Sequence, residues 1–193
     1  GDHGMLIGHH GYYGRGAVGV IAGNKVVGYE NIANLYDEAI KIPFIIRAPA
    51  LIEPGQEIEI PVSNIDVFPS IMSALAIKAP NDLNLSGIDL IQISNEQDTL
   101  ESRPIFAQYA MRNFGYSDLR MVRSGKWKLI KRFNLKANAE LVDELYDLEA
   151  DPNEETNLIK QVSNQPIYEK LDNLIHSWMI SIDDPLLSSS YKQ

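Results

Sequence analysis

A chain of 193 residues, 45% hydrophobic and 22% charged, has the size and composition of one ordinary globular domain or one and a fraction. Its net charge of −9 excludes nucleic acid as a main partner, since phosphate binding needs clustered Lys and Arg, and offers no basic patch to an anionic membrane. It has no cysteine, which excludes disulfides and a cysteine nucleophile within these residues, and no apolar run approaches the roughly 18 residues of a membrane span.

The opening stretch, GDHGMLIGHHGYYGRG, carries three of the four histidines, Asp2, Arg15 and six glycines. Asp2 and His3, followed at once by Gly4, read either as a carboxylate and an imidazole offered to one ion at a tight turn, or as a solvated turn. His9-His10 reads as a tag remnant, a polar loop or a site. Arg15, framed by Gly14 and Gly16, reads as a two-donor holder of an oxyanion or as an ordinary surface arginine. VGVIAGNKVVGYEN (18–31) predicts one or two short strands in a glycine-rich loop. IPFIIRAP (42–49) is a continuous apolar run between prolines and predicts a buried strand. EIEIPVS (57–63) alternates and predicts an edge strand, because Pro61 lacks a donor. SNIDVFPSIMSALAI (63–77) predicts a helix capped at Ser63 or Asn64, with Ile65, Phe68, Met72, Leu75 and Ala76 along one face.

Residues 78–102 are polar and loop-rich and mark the expected boundary, giving domains at 1–90 and 91–193. Beyond it the pattern turns to strands at 103–110, 118–125, 126–133 and 143–148, with Ser124-Gly125 as a hairpin turn. Asp151, Pro152 and Glu154 predict a capped helical turn. PIYEKLDNLIHSWMIS (166–181) predicts an amphipathic helix with Ile167, Leu171, Leu174, Ile175 and Trp178 on one face. His176 on that helix reads as structural or exposed, and Trp127 and Trp178 as core. Four antiparallel strands with a covering helix make a small α+β unit, within a chain of α/β class.

Taken together, these segments resemble the sulfatase family of the alkaline-phosphatase superfamily. The residues that carry the likeness are Asp2-His3-Gly4, Gly8-His9-His10-Gly11, Gly14-Arg15-Gly16, Tyr36-Asp37-Glu38, Lys41 and Pro43. They continue in VSNIDVFPSIMSALAI, RSGKWKLIKRF and ELYDLEADPNEETNL. The likeness runs over about residues 2–160 and implies the end of a sulfatase-type mixed sheet, followed by a small four-stranded antiparallel sheet packed with a C-terminal helix.

The resemblance implies sulfate-ester hydrolysis through a formylglycine nucleophile and a divalent cation, usually Ca²⁺. It implies that Asp2 and His3 supply half of the metal shell. Arg15 stands where the family has a lysine that binds a sulfate or leaving-group oxygen, and His10 lies in the loop beside the active site, as a catalytic or a hydrogen-bonding residue. The substrate implied is a sulfated small molecule or glycan, and the compartment periplasmic, secreted or lysosome-like. Three departures stand out. The formylglycine motif and the acidic metal pair are not found in these residues, so both are expected upstream, in an N-terminal remainder of the same protein. Arg15 keeps the lysine's charge but a guanidinium cannot give up a proton near neutral pH, so either a histidine outside these residues protonates the leaving group or the parent is a divergent member of the family. His3 suits Mn²⁺ or Zn²⁺ better than Ca²⁺. Alternatives are a related phosphodiesterase or phosphonate monoester hydrolase, and a non-catalytic interaction module.

Overall fold

The computed structural model describes residues 1–14, 21–22, 25–26, 33–80, 83, 85–93, 103–111, 117–133, 142–162 and 165–188. These form two units, residues 1–43 with 106–193 and residues 44–105. The 1–90 and 91–193 partition cuts the chain at other points. Among the described residues no helix is long and apolar enough to cross a membrane.

The first unit is built on period-two alternation along strands. Strands β5 (Ile105–Met111), β6 (Ser117–Ser124), β7 (Trp127–Phe133) and β8 (Glu144–Asp147) form one sheet in the order β5-β6-β7-β8. Strands β6 and β7 pair antiparallel from Asp118↔Phe133 to Ser124↔Trp127, and β7 and β8 from Trp127↔Asp147 to Ile130↔Glu144. The expected hairpin is present with its two-residue turn one position later, at Gly125-Lys126 rather than Ser124-Gly125: Gly125 takes φ 56°, in the left-handed region that a Cβ disfavours.

Strands β6, β7 and β8 bury residues on both faces. Leu119, Met121, Ile130 and Tyr146 point to one side and pack with Ala33 and Leu35. Val122, Leu129 and Leu145 point to the other, where helix α5 (Pro166–Ser181) lays down Leu171, Ile175 and Met179. The helix has the bounds the sequence predicts, with Pro166 in its first turn, where a missing N–H costs nothing. Trp178 stacks on Phe106 at 4.9 Å between ring centroids, Trp127 packs in the same cluster, and His176 is exposed. On this face Arg120 is buried and donates to both carboxylate oxygens of Asp184, from Nε at 2.5 Å and Nη2 at 2.9 Å.

The short elements precede this sheet. Strands β1 (Leu6–Ile7) and β2 (Tyr13–Gly14) form an antiparallel hairpin, in which Leu6 is fully buried. Strands β3 (Ile21–Ala22) and β4 (Lys25–Val26) form another, as expected for 18–31. Helix α1 (Asp37–Ile40) follows, and helix α4 (Ile159–Val162) follows β8. The helical turn expected at Asp151 is instead an Asp-led bend. The Asp151 carboxylate accepts from the amides of Glu155 and Thr156 at 3.1 and 2.8 Å. Glu154 takes φ 57°, which no right-handed helix allows.

In the second unit, a 3₁₀ turn at Asn64–Asp66 leads into helix α2 (Val67–Ala74). Asp66, fully buried, closes a capping box with Ser63 and receives the Ile88 amide at 2.9 Å. Arg103 grips it with two donors at 2.8 and 2.9 Å. Ser70 donates to the Asp66 carbonyl and accepts from the Leu90 amide at 2.8 Å, tying α2 to helix α3 (Leu90–Ile93). The core here is small: Ile60, Leu90 and Ile93, flanked by Val62 and Ile88.

Two expectations fail in this unit. Neither 42–49 nor 57–63 forms a strand, and Ile45 is 90% exposed. A strand needs a neighbour to satisfy its amides, and among the described residues none pairs with either segment. The helix at 63–77 forms, but Ile65, Phe68 and Leu75 of its expected apolar face are exposed.

Burial alone would raise the Asp66 carboxyl pKa. The Arg103 guanidinium and the amides of Ile88 and Ser63 outweigh it and hold the group below its ordinary value of 3.8. A depressed carboxylate stabilises the fold above its unfolded pKa and loses that contribution as pH falls through the folded one. Urea midpoints should therefore fall on acidification below about pH 4. Asp66→Asn should be less stable at pH 7 and flatter across that window.

Candidate active site

The site is assembled on helix α1. The Gly4 amide donates to the Ala39 carbonyl at 2.9 Å. A Cβ at Gly4 would lie 2.1 Å from the Glu38 carbonyl oxygen, so only glycine lets the Asp2-His3 segment lie this close to the helix. This is the physical reason for the third residue of Asp-His-Gly.

His3 Nδ1 lies 2.5 Å from the Gly4 carbonyl oxygen. A carbonyl only accepts, so Nδ1 carries the proton and Nε2 of the neutral ring carries a lone pair. That Nε2 is 3.9 Å from Asp2 Oδ1, and the Asp2 side chain is 87% exposed. A carboxylate oxygen and an imidazole lone pair so spaced can ligate one cation, with the Gly4 carbonyl orienting the ring as an outer partner. The residues present therefore fit a divalent metal, as part of its shell. Among the described residues no group of three or more His, Cys, Asp or Glu gathers for an ion.

The second element is the turn between β1 and β2. Glu38, reaching out from α1, accepts from His9 Nδ1 at 2.8 Å. His10 takes φ 53°, a left-handed conformation that costs a non-glycine residue roughly 1 kcal/mol or more. Its ring lies flat on Tyr36, with centroids 3.8 Å apart and planes 6° from parallel. His10 Nε2 and Glu38 Oε2 are 3.9 Å apart, and both atoms are buried without a hydrogen-bond partner among the described residues. Behind Tyr36 stands Tyr146, which donates to Glu144 at 2.9 Å. Glu144 is gripped by Arg132, whose Nη1 also donates to the Ala33 carbonyl at 2.9 Å. Burial, and after it the Glu144 charge, push both phenols well above the ordinary tyrosine pKa, so both stay neutral.

The third element fixes α1 to the sheet. Lys128 on β7 has no exposed side-chain surface. It donates to Asp37 Oδ1 at 2.7 Å and pairs with Glu154 Oε1 at 2.6 Å. Glu154 Oε2 in turn accepts the Asp37 amide at 2.5 Å, and Arg123 stands 3.6 Å from Asp37 Oδ2. Burial raises the Glu154 carboxyl pKa, against the pull of Lys128.

Of the residues expected at the site, Asp2, His3 and His10 are thus held by one short helix. Arg15 lies outside the described residues. Sequence reasoning did not find Glu38, Lys128 or Glu154 as contributors. Their signal was present all the same. Tyr36-Asp37-Glu38, KWKLI and DPNEE were recognised as recurring segments, and Asp37, Lys128 and Glu154 are the members of those segments that meet.

A four-stranded antiparallel sheet covered by its last helix, behind an Asp-His-Gly segment, defines the class as the C-terminal part of a sulfatase. The comparisons agree. The family described as N-sulphoglucosamine sulphohydrolase, C-terminal, matches residues 28–180, and the chain belongs to the sulfatase family. It is 28% identical over 187 residues to the uncharacterized sulfatase YidJ of Escherichia coli K12, covering 97% of this chain and 32% of that protein. It is 28% identical to an ulvan-active sulfatase of Formosa agariphila, covering 78% of this chain and 35% of that one. With human arylsulfatase K it shares 29% identity, covering 83% and 29%. Among solved structures, BT4656 in complex with its substrate D-glucosamine-2-N,6-O-disulfate superposes with a TM-score of 0.73 at 20% identity, covering 97% of this chain and 35% of that one. The 2-O GAG sulfatase BT1596 gives 0.65 at 22%, covering 83% and 34%. The chain therefore spans about a third of the length of the relatives it matches.

Removing one member of a buried ion cluster leaves the others uncompensated. Lys128→Met should cost about 3–5 kcal/mol, read as a lowered urea midpoint of the unit that contains it.

Proposed function

We propose that this chain is the C-terminal portion of a sulfate-ester hydrolase, and that Asp2 and His3 complete the shell of a divalent cation, Ca²⁺ or, given the imidazole, Mn²⁺ or Zn²⁺. The observation that carries this is the His3 ring, whose Nδ1 is tied to the Gly4 carbonyl while its Nε2 stands beside the Asp2 carboxylate. The cation, when bound, supplies positive charge against the sulfate oxygens.

The remaining chemistry lies with the chain's own groups. Gly4, locked on α1, fixes where Asp2 and His3 present their donors. Arg15 binds an oxyanion of the sulfate through two donors and retains its own proton throughout. His10, stacked on Tyr36, holds the β1–β2 turn beside Glu38. The formylglycine nucleophile and the acidic metal pair come from an upstream portion of the same protein. The exposed apolar run at 44–46 and the exposed Ile65, Phe68 and Leu75 of the α2 segment support such a portion, which would cover them. The substrate class is a sulfated sugar, a reading supported by the sulfated glucosamine named as the substrate of BT4656.

Two measurements test this. The full gene product should hydrolyse a sulfate ester in the presence of divalent metal, and the 193-residue chain alone should not. Hydrolysis of phosphate esters only by the full product would replace the reading with that of a phosphoesterase. In calorimetry the chain alone should bind Ca²⁺ weakly, since two donors fall short of the six to eight oxygens the ion takes. Sub-micromolar affinity abolished by Asp2→Ala would contradict a shared shell.

A further inference from the structure

The Asp2-His3 segment belongs to no helix or strand, so its donors point to one place only if something beside it is fixed. Gly4 makes the link. Its amide donates to the Ala39 carbonyl at 2.9 Å, and its missing Cβ lets it lie against the Glu38 carbonyl. Both carbonyls belong to α1. That helix is a single turn whose N-cap, Tyr36, supplies no side-chain hydrogen bond, and one turn does not persist in water unaided. Where α1 sits is decided by what grips it.

Asp37, its first residue, is gripped twice. Its carboxylate accepts from Lys128 Nζ at 2.7 Å. Its amide, one of the donors that a helix start leaves unmatched, donates to Glu154 Oε2 at 2.5 Å. Lys128 and Glu154 close the ring at 2.6 Å, and neither side chain has surface in water. With Arg123 3.6 Å from the second Asp37 oxygen, two cations face two carboxylates. Stability alone is a poor reason for such a cluster, because well-packed apolar side chains of similar volume often serve a core as well or better. What apolar side chains lack is direction. An ammonium on the carboxylate and a carboxylate on the first amide together admit one placement of the turn. The buried Arg120–Asp184 pair offers a contrast, since it lies on the opposite face of the sheet and joins β6 to the segment after α5.

We infer that Lys128, Asp37 and Glu154 are positioning residues for the divalent cation: they fix α1, and α1, through Gly4, fixes where Asp2 and His3 present their donors. This rests on the reading of Asp2 and His3 as ligands given above. The sign of the effect separates positioning from charge. By charge alone, removing the Lys128 cation tightens the binding of a nearby cation, and removing the Asp37 carboxylate weakens it. Positioning requires that both substitutions weaken it.

The test is calorimetry on the metal-stripped full gene product. Ca²⁺, Mn²⁺ and Zn²⁺ are titrated in turn, and the ion bound most tightly is carried through the variants. Lys128→Met and Asp37→Ala should each weaken binding about 10–100-fold, as loss of an outer partner of a ligand does. Asp37→Asn, which keeps an acceptor oxygen for Lys128, should recover most of that loss. Asp184→Asn, which breaks the pair on the opposite face, should stay within about twofold of the unaltered protein, since distant sites act independently. If Lys128→Met does not fold, Asp37→Ala decides, because it leaves Lys128 and Glu154 paired and mutually neutral.

Three results overturn the inference and leave the ligand reading intact: tighter binding by Lys128→Met, Asp37→Ala no weaker than Asp184→Asn, or Asp37→Asn as weak as Asp37→Ala. The first and third make charge the cause. The second leaves the segment held by the buried Leu6 of β1. A full product that binds none of the three ions, or whose binding is unchanged by Asp2→Ala, instead sinks the reading of Asp2 and His3 as ligands, and this inference with it.

Discussion

A lysine with no surface in water is the constraint on which the site depends. An ammonium group leaves bulk solvent only when opposite charge and hydrogen bonds compensate its lost hydration. Lys128 finds both in Asp37 and Glu154. Asp37 begins the helix that carries Glu38, Glu154 sits in a bend it could not enter without a left-handed backbone, and Lys128 is central in the sheet. Three stretches distant in the sequence are thereby brought to one point. The helix is only four residues long, too short to be stable by itself, so its position is dictated by this cluster and by the apolar contacts of Leu35, Tyr36 and Ile40 with the sheet.

Everything proposed for function hangs on that helix. Its carbonyls receive Gly4, and so Asp2 and His3. Its one outward carboxylate receives His9. Behind it the Tyr36–Tyr146–Glu144–Arg132 chain keeps neutral phenols and a compensated carboxylate between the sheet and the His10 ring. The sheet thus acts as a rigid base. The chemistry-bearing residues sit on short loops anchored to it, the usual division between scaffold and function.

Much of the fold was legible because alternation and capping are local signals. Ser124-Gly125, the KWKLIKRF alternation and Pro166 at a helix start each marked an element within a residue or two. What was not legible was non-local. IPFIIRAP has the composition of a strand buried on both faces, yet pairing depends on neighbours, and among the described residues it has none. The apolar stripe of α2 is legible as a stripe, but not that Ile65, Phe68 and Leu75 are exposed in these residues. At the site, Asp2, His3 and His10 could be named through the resemblance to the sulfatase motifs, while residue type alone left each open. Glu38, Lys128 and Glu154 could not, since a charged residue in a strand or turn reads as solvated until its partner on another element is seen.

Amide exchange at Gly4 is the most direct measure of this account. Its N–H is bonded to Ala39 at the end of the helix that Lys128 fixes through Asp37. In a Lys128→Met chain, Gly4 and Asp37 should lose protection together and by more than Leu171 or Ile175 on the opposite face of the sheet. If Gly4 keeps its protection relative to those residues while Asp37 loses its own, the Asp2-His3 segment is held by something other than the buried ion cluster, which contradicts this reading.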